Sequence, residues 1–474
     1  MTPVDLIVTA PHFYTMTGKG LGYRSRSAIA VDRGRIIAIG PDDEICSAYR
    51  AGCLKDMPEH VILPGFIDAH MHMVDCLMRG LAQDTDQWMM HGISPFQMHM
   101  DREKNLVGVK LGIAEGLAAG TTCYGEFSDY DHDIMKFIEK SGVRACMTVR
   151  IREAVERIYE AGELYEFEQA QGLRSLEQCL SAHDKWQGKA QGRITVMFGP
   201  QGPDFVSTDL LKRIYHLSAE RDARIHMHLQ QGDRETWQVV KRTGRRPIAY
   251  MDEAGLLNER LIAVHLTDAD EQEAALVARR GASMILCSGS IGIIDGIVPP
   301  AKAFQDGGGS VALGSDQAPG NNCHNMFNEM KLTALFNKIR FQNPMVMPAW
   351  KVLKMATIEG AKAIGMDGEI GSLEPGKQAD FIAVNLKALT MGPLYTQPMR
   401  NIVPNLVYSA RGPEVSMTVV AGQILYENGQ HLTVNSQGIL DQAGKSAIQL
   451  GLMAEKSFKA INGSSARMME QGLL

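Results

Sequence analysis

The sequence predicts an α/β protein that combines a (β/α)8 barrel with a small sheet domain. Three observations favour this fold class. Eight apolar, strand-like segments follow one another from Val61 onward, most of them are separated by segments of helical periodicity, and strand patterns occur at both ends of the chain. The length of 474 residues, about three times a typical domain, fits one large and one small domain.

The two ends of the chain carry alternating apolar runs that predict strands. Within the first 60 residues, SAIAVDRGRIIAIG holds two such runs around a turn at Asp32-Arg33-Gly34, which predicts antiparallel sheet. The pattern returns in ADFIAVNL and in VSMTVVAGQILYENG, where Ala421-Gly422 is the predicted turn. We therefore predict that residues 1–60 and 365–435 share one sheet domain.

Eight further segments predict the barrel, over residues 61–364. In chain order they are VILPGFIDAH, TTCYGEF, ACMTVR, ITVMFGP, RIHMHL, LIAVHL, SMILCSG and SVALGSD. Most of them alternate with helical patterns such as DLLKRIYHLSAERDA, as a β/α repeat requires. Barrels of this type place their chemistry at the carboxyl ends of the strands, so the polar residue that ends each segment is a candidate for the site.

The last segment, residues 436–474, predicts a helical extension. Leu440, Ala443, Ala447 and Leu450 recur near helical spacing, which is typical of an amphipathic helix packed on the protein body or on another subunit. We expect the protein to form a homo-oligomer.

Composition narrows the classes of partner and the compartment. The net charge of -6 comes from 48 basic and 54 acidic residues that are mixed along the chain, which argues against nucleic acid and membrane partners and leaves a small-molecule substrate. No stretch of 18 apolar residues and no basic leader occur, so neither a membrane span nor secretion is expected. Eight cysteines without C-x-x-C spacing favour a reducing, cytoplasmic environment.

Histidines and a carboxylate at four predicted strand ends indicate a metal site. His70 and His72 are two residues apart on the first barrel strand, so both side chains point the same way. The fifth strand adds one histidine of its HMH motif, His265 ends the sixth strand, and Asp316 ends the eighth. Such a pair of histidines can also be purely structural, but the agreement of separate strands favours one divalent ion. Zinc fits this mixed set, with iron, cobalt and manganese as open alternatives.

Five motifs together carry a family resemblance. They are PGFIDAHMH, HMHLQQ, the strand that ends in His265, GSDQAPGNN, and MATIEGAKAIGMDGEIGSLEPGKQADFIAVN. In these motifs the chain resembles the amidohydrolase superfamily almost end to end. The pattern is most similar to the branch that holds cytosine, guanine and adenosylhomocysteine deaminases and s-triazine hydrolases, with molinate and phenylurea hydrolases nearby. The resemblance implies a distorted (β/α)8 TIM barrel with a small β-sandwich domain.

The resemblance also implies roles for individual residues. The implied metal ligands are His70, His72, His228 and Asp316. His265 is implied to face the bound water and the substrate, whereas His226 is expected one layer deeper as a hydrogen-bonded core histidine. Members with two ions usually carry a carboxylated lysine on the fourth strand, and the segment ITVMF contains none, so one ion is expected.

Gln231 marks the main departure from the family pattern. Deaminases of the family place a glutamate three residues beyond the fifth-strand ligand to shuttle protons, and an amide cannot exchange protons in this way. The sequence therefore favours a small organic substrate with an already reactive carbonyl, such as a carbamate, thiocarbamate, urea or amide, in which metal-activated water attacks a C–N, C–S or C–Cl bond. The alternative is an aminohydrolase or dechlorinase of a heteroaromatic ring such as an s-triazine, pterin, purine or pyrimidine.

A protein that is not an enzyme, a catalytically silent scaffold, is the third interpretation, and the complete set of metal-ligand positions argues against it.

In the enzyme interpretation, Asp316 accepts the proton of the attacking water and His265 hydrogen-bonds the substrate as charge develops. Asp316 or Glu126 then protonates the leaving group.

Five residues outside the ligand set are further candidates. Glu126, at the end of the second strand, is either a substitute acid or a salt-bridged rim carboxylate. Gln201 follows the fourth strand where relatives carry a histidine, and Ile291 stands where they often carry an asparagine; both changes favour a less polar substrate. Arg79 and Trp88, on the loop after the first strand, are candidate pocket-wall residues.

Overall fold

The computed structural model describes residues 1–85, 87–157, 159 and 162–474, and its strands form two sheets of nine strands each. In chain order the strands are β1 (Thr2–Tyr14), β2 (Tyr23–Asp32), β3 (Arg35–Pro41), β4 (Tyr49–Asp56), β5 (His60–Pro64), β6 (Phe66–His72), β7 (Thr121–Ser128), β8 (Arg144–Ile151), β9 (Ile194–Pro200), β10 (Ile225–Leu229), β11 (Leu261–His265), β12 (Ser283–Leu286), β13 (Val311–Leu313), β14 (Asp316–Gln317), β15 (Phe381–Asn385), β16 (Val415–Val420), β17 (Gln423–Glu427) and β18 (Gln430–His431).

Helices connect most of these strands, and several of them begin at a side-chain cap. In chain order they are α1 (Asp42–Ala48), α2 (Ser94–Gln97), α3 (Arg102–Ala118), α4 (His132–Ser141), α5 (Gln169–Trp186), α6 (Lys189–Gly192), α7 (Thr208–Glu220), α8 (Asp233–Thr243), α9 (Pro247–Glu253), α10 (Glu271–Arg279), α11 (Ser288–Ile294), α12 (Ala301–Asp306), α13 (Ala318–Asn321), α14 (Met326–Arg340), α15 (Ala349–Met355), α16 (Ile358–Ala363), α17 (Ile402–Tyr408), α18 (Ser436–Ile461) and α19 (Ser464–Glu470). Asp101, Asp131, Ser207 and Asp270 accept hydrogen bonds from first-turn amides of α3, α4, α7 and α10. In the described part of the chain, no helix is both long and apolar enough to cross a membrane.

The first sheet is built from both ends of the chain, in the order β18-β17-β16-β15-β5-β1-β2-β3, with β4 also paired to β1. The β1–β2–β3 meander is antiparallel, as predicted. However, β4 and β5 run parallel to β1. Helix α1 connects β3 to β4 as a crossover, so β4 runs in the same direction as β3 and therefore as β1. Strand β15 then joins antiparallel to β5, with Ile382 opposite Leu63.

Both predicted hairpin turns are confirmed. Arg33 and Gly34 have φ values of 47° and 78°, and Ala421 and Gly422 have values of 45° and 76°, which is the positive-φ geometry of a two-residue hairpin loop. A Cβ at Gly34 would lie 2.8 Å from the carbonyl oxygen of Ala421, so the two turns pack against each other where only glycine fits.

The second sheet is the barrel. Its order is β13-β12-β11-β10-β9-β8-β7-β6-β14, and all the pairs with a resolved register are parallel. β13 and β14 act as two parts of the eighth strand, and β14 closes the barrel on β6 with Asp316 opposite Met71 and Gln317 opposite His72. The distorted (β/α)8 barrel with a separate terminal sheet is therefore confirmed. Gly314, at the break in the eighth strand, lies so close to His70 that a Cβ would stand 2.8 Å from its carbonyl oxygen.

The barrel interior is packed rather than hollow. One cluster of buried side chains takes members from seven of the eight strands: Ile67, Cys123, Cys146, Met197, Ile262, Ile285 and Ala312. This layered filling is typical of the fold, and it leaves the carboxyl ends of the strands as the place for a site.

A buried ion pair ties the barrel to the terminal sheet. Arg144, the first residue of β8, donates from Nε and Nη2 to the carboxylate of Asp380 at 2.7 and 3.0 Å. Both side chains are at most 2% exposed. The Asp380 carboxylate also accepts a hydrogen bond from the Ala421 amide at 2.8 Å, so it holds the hairpin turn as well.

The predicted C-terminal helix is confirmed as α18, but its buried face differs from the predicted one. Ala443 and Leu450 are buried as expected, whereas Leu440 and Ala447 are exposed. The buried face is completed by Ile439 and Ala454. It packs against a cluster that includes Leu77, Met78 and Val107.

Candidate metal centre

Five side chains meet at the carboxyl ends of four barrel strands. They are His70 and His72 of β6, His228 of β10, His265 of β11 and Asp316 of β14. The possible ligand atoms of His70, His72 and His228 lie within 4.8 Å of one another, and the same holds for His70, His265 and Asp316. Asp316 Oδ1 is 3.4 Å from His70 Nε2 and 3.5 Å from His72 Nε2. The structure thus brings together the whole set that the sequence assigned to metal binding, with His265 beside it.

Hydrogen bonds on the far side of two imidazoles fix their orientation. His72 Nδ1 donates to the carbonyl oxygen of Phe127 at 2.8 Å, and His228 Nδ1 donates to that of Gln201 at 2.9 Å. A nitrogen that donates to a carbonyl must carry the ring proton, so each Nε2 keeps its lone pair. Both lone pairs are therefore ready to bind a cation.

His70 is held by a chain of two buried side chains. Its Nδ1 is 2.9 Å from His226 Nε2, and His226 Nδ1 is 2.8 Å from Thr148 Oγ1. All three residues are fully buried. The prediction that His226 is a hydrogen-bonded core histidine is confirmed, and its contact with His70 gives it a positioning role behind the site.

Asp316 and His265 adopt backbone conformations that are unusual for residues with a side chain. Their φ values are 60° and 77°, in the left-handed region where such conformations are concentrated at functional sites. The Ser290 hydroxyl donates to Asp316 Oδ2 at 2.5 Å, which leaves Oδ1 facing the histidines. Neither ring nitrogen of His265 has a hydrogen-bond partner among the described residues, although the side chain is fully buried.

Burial favours the neutral form of three of these imidazoles, those of His70, His228 and His265. It lowers the pKa of His70 to about 3 and that of His265 to about 4, so both rings are uncharged near pH 7. Burial alone would raise the pKa of Asp316, but its contact with His70 and its closeness to His265 and His72 hold that pKa well below the usual range. The centre therefore offers neutral nitrogen donors and one carboxylate.

These observations fit a single divalent ion. The buried Nε2 of His70 has no hydrogen-bond partner among the described residues, and it points toward the nitrogen and oxygen donors around it. A set of imidazoles with one carboxylate suits zinc, iron, cobalt or manganese and leaves room for water or substrate.

Glu126 does not join this group. Its fully buried Oε2 accepts a hydrogen bond from the Met73 amide at 2.7 Å, and burial raises its pKa to about 8. The next residue, Phe127, packs its ring against His228 with 4.7 Å between ring centroids. Successive strand residues point to opposite faces, so Glu126 lies on the face of β7 away from the histidines rather than at the predicted rim position.

Gln201 and Gln231 lie beside the site. Gln201 contributes its carbonyl oxygen to His228, while its side-chain Oε1 accepts from Arg152 at 3.4 Å. The backbone amide of Gln231 donates to the carboxylate of Glu235 at 2.9 Å, and its side chain is half-buried. Substrate contacts by these two side chains stay a prediction.

Arg79 and Trp88 are both engaged within the loop after the first barrel strand. Arg79 forms a two-pronged ion pair with Glu115 and also donates to the carbonyl oxygen of Asn322. Trp88, which begins a π-helical turn (Trp88–Ile93), packs against the apolar cluster that α18 completes. The structure thus gives each residue a role in holding the loop, and their predicted contact with substrate stays a prediction.

The sequence did not reveal three parts of the site. The Phe127 ring contacts His70, His72, His226 and His228 with centroid distances of 6.0, 5.6, 5.6 and 4.7 Å. Strand alternation around Glu126 was the signal that could have identified it. Thr148 and Ser290 carry no comparable signal, because a lone hydroxyl residue in a strand or after one is common.

Comparison with known proteins places the chain in a family. The amidohydrolase family matches residues 61–425. The chain is 33% identical over 420 residues to a 5-methylthioadenosine/S-adenosylhomocysteine deaminase of Nitratidesulfovibrio vulgaris, a match that covers 88% of this chain and 91% of the relative.

Two solved structures share the fold. An adenosine deaminase from Xanthomonas campestris with bound zinc has a TM-score of 0.86 and 28% identity, and the match covers 95% of this chain and 99% of that one. An atrazine chlorohydrolase from Arthrobacter aurescens TC1 complexed with zinc has a TM-score of 0.82 over 93% and 100% of the two chains, but its 18% identity shows likeness of fold alone. Because the family match spans most of its length, the chain belongs to the amidohydrolase family and is a hydrolase of carbon–nitrogen bonds other than peptide bonds.

Proposed function

We propose that this protein is a metal-dependent aminohydrolase that replaces an amino group, or a comparable leaving group, on a nitrogen-containing heteroaromatic ring. The convergence of His70, His72, His228 and Asp316 on one point, with His265 beside them, is the observation that carries the proposal. The names of its relatives support the substrate class, since they are deaminases of adenine-containing compounds.

In this proposal, His70, His72, His228 and Asp316 hold one divalent ion. Such an ion lowers the pKa of a bound water toward neutrality and polarises the atom under attack. Asp316 is placed to accept a proton, because the Ser290 hydroxyl holds Oδ2 and leaves Oδ1 toward the site. His265 is neutral and its ring nitrogens have no hydrogen-bond partner among the described residues, so it is free to hydrogen-bond a substrate.

Gln231 favours a second candidate function. A carboxamide at this position cannot deliver a proton to a ring nitrogen, a contribution commonly worth about 10²- to 10⁴-fold in rate. Carbamates, thiocarbamates, ureas and amides already have a reactive carbonyl carbon and need less proton transfer to the leaving group. Hydrolysis of such a compound is therefore the alternative, with Gln231 as a polar contact rather than an acid.

The proposal also includes the identity of the metal ion, the location of the protein and the kind of substrate. Zinc is the ion that we propose, because two structurally similar proteins contain it, and elemental analysis would distinguish it from iron, cobalt and manganese. We also propose a cytoplasmic location and a small-molecule substrate. All eight cysteines are free thiols in the structure, which is compatible with a reducing compartment.

Purified protein with its metal content measured should be assayed for release of ammonia or chloride from purine nucleosides, pterins and s-triazines. The same preparation should be assayed for hydrolysis of carbamates, thiocarbamates and ureas. Ammonia or chloride release from a ring supports the proposal, and turnover confined to the carbonyl compounds supports the second candidate. His70→Ala should lose both metal and activity, and turnover by metal-free His70→Ala protein would contradict both.

Gln231→Glu tests the ring chemistry separately. If the substrate is an aminated ring, restoring a carboxyl group should raise ammonia release at least about tenfold, which is only part of the about 10²- to 10⁴-fold that a general acid–base group commonly contributes. Gln231→Met is the matched control, because it has a similar length and no exchangeable proton. Equal ammonia release by both variants would contradict a proton-transfer role at this position.

A further inference from the structure

Helix α18 presents two different faces. The face that includes Ile439, Ala443, Leu450 and Ala454 is buried against the barrel domain. Among the residues that the structure describes, none covers the opposite face, and its two large apolar side chains, Ile448 and Leu452, are 69% and 70% exposed. Apolar side chains of this size at the centre of a helix face are typical of a contact surface.

The outward face forms a single stripe. Its members are Asp441, Lys445, Ile448, Leu452, Glu455 and Lys459. They are spaced alternately four and three residues apart, so they fall on one side of an α-helix, and all six are exposed. Gly444 and Gly451 border the stripe, and nothing lies within 4 Å of the position that a Cβ would take at either. Another helix could therefore approach this side closely.

The stripe is complementary to itself when reversed. Ile448 and Leu452 are equally distant from position 450, as are Lys445 and Glu455, and Asp441 and Lys459. Two copies of the helix, placed antiparallel about a twofold axis at that level, would bring the two apolar residues together. The outer pairs would each match an acidic residue with a basic one.

We propose that α18 is a twofold interface between two copies of this chain. A twofold contact uses the same patch on both subunits, so each residue must suit its counterpart across the axis. All three pairs of the stripe match across the axis: one pair is apolar and two pairs join opposite charges. A surface that binds an unrelated partner does not require such a match with itself. At about 1.5 Å per residue, the stripe from Asp441 to Lys459 is about 27 Å long.

The existing contacts of the charged residues are compatible with this pairing. Lys459 Nζ lies 2.6 Å from Glu455 Oε1 on the same helix, and Asp441 Oδ1 accepts from Gln437 at 2.9 Å. These contacts are exposed, so a second helix could join them into a four-charge network without burying an unpaired charge. The interface lies on the extension and does not depend on the proposed function.

Sedimentation velocity of the full-length protein over about 1–100 µM tests the proposal, in the concentration range of modest protein interfaces. We expect a dimer whose population rises with concentration. Lys445→Glu would place Glu opposite Glu455 twice in the dimer and should raise the dissociation constant about tenfold, because two attractions become two repulsions. The double variant Lys445→Glu/Glu455→Lys restores both pairs and should return the constant to within about threefold of wild type.

Two more variants complete the test. Lys456→Glu makes the same change in charge one residue from Glu455, but its counterpart across the axis is Gly444, so it should leave dimerisation unchanged. Ile448→Asp removes the apolar centre and should give a monomer. Circular dichroism and metal content should match wild type throughout, since these side chains are exposed in the single chain. Thermal unfolding should match wild type at a protein concentration at which wild type is monomeric.

A protein that stays monomeric over the whole range would overturn the proposal. So would a dimer that Ile448→Asp and Lys445→Glu leave intact, since it would form through another surface. Failure of the double variant to recover while its fold is unchanged would overturn the antiparallel register.

Discussion

Replacing Thr148 by valine should weaken metal binding without touching a metal ligand. In wild type, His70 can present the Nε2 lone pair to an ion only if its Nδ1 carries the proton and donates to His226 Nε2, at 2.9 Å. His226 must then carry its own proton on Nδ1, which donates to Thr148 Oγ1 at 2.8 Å. Valine removes that acceptor and keeps nearly the same shape.

The size of the effect follows from the two tautomers of the histidine pair. Without metal, the Thr148→Val protein can shift both protons, so that His226 donates to His70 and His70 Nε2–H faces Asp316 Oδ1, 3.4 Å away. With metal bound, that shift is blocked and the buried His226 Nδ1–H has no acceptor. An unpaired buried donor costs about 1–3 kcal/mol. Metal affinity should therefore fall about 5- to 150-fold, with little loss of stability in the metal-free protein.

The assay is zinc titration of the metal-free protein against a chromophoric chelator, with urea unfolding of the same samples. Thr418→Val is the matched control: Thr418 is fully buried and its hydroxyl donates one hydrogen bond to the Leu117 carbonyl oxygen at 2.9 Å, away from the histidines. It should lose stability but keep wild-type zinc affinity. Equal zinc affinity in Thr148→Val and Thr418→Val would refute the tautomer reasoning.

Two further predictions concern stability. Arg144→Met leaves Asp380 as a buried charge without its partner and should lower the free energy of unfolding, measured in urea, by about 3–5 kcal/mol. The control Arg280→Met removes the exposed ion pair with Asp252 and should have little effect. A loss of stability in Arg144→Met that is no larger than in Arg280→Met would contradict this. At Glu414, burial alone would raise the pKa, but hydrogen bonds from the Thr390 hydroxyl and two backbone amides lower it from 4.5. The carboxylate therefore stabilises the fold above pH 4.5, and that contribution is lost as pH falls through the lowered pKa. Glu414→Gln should cost about 1 kcal/mol at pH 7 and progressively less below pH 4.5, and a difference in urea unfolding that does not change with pH would rule this out.

The barrel and the ligand set could be predicted because both leave periodic signals. His70 and His72 share a strand face by their spacing. His228, His265 and Asp316 lie at or next to the carboxyl ends of apolar segments, so the fold brings them together by topology alone. Hairpin turns were predictable because Arg33-Gly34 and Ala421-Gly422 need positive φ.

The predictions that were wrong concerned which side of a strand or helix a residue faces. Glu126 was predicted at the barrel rim as a candidate acid because it ends the second strand, but strand alternation gives the position facing the histidines to its neighbour Phe127. Likewise, Leu440 and Ile439 both fit a helical stripe, and only tertiary packing decides that Ile439 is buried. The positioning role of Thr148 could not be predicted from the sequence, because it depends on a contact with His226, which lies 78 residues later on another strand.

The closure of the barrel through β14 and β6 has a consequence for biogenesis. The candidate metal donors lie on both of the strands that join to close the barrel, β6 and β14, so a cation bound there would hold the barrel closed. Residues 73–315 separate these two strands, and the entropy cost of closing such a segment grows only slowly with its length. A nascent chain has no complete centre until Asp316 has emerged from the ribosome, so metal loading must come late and should lock the finished barrel rather than guide its early folding.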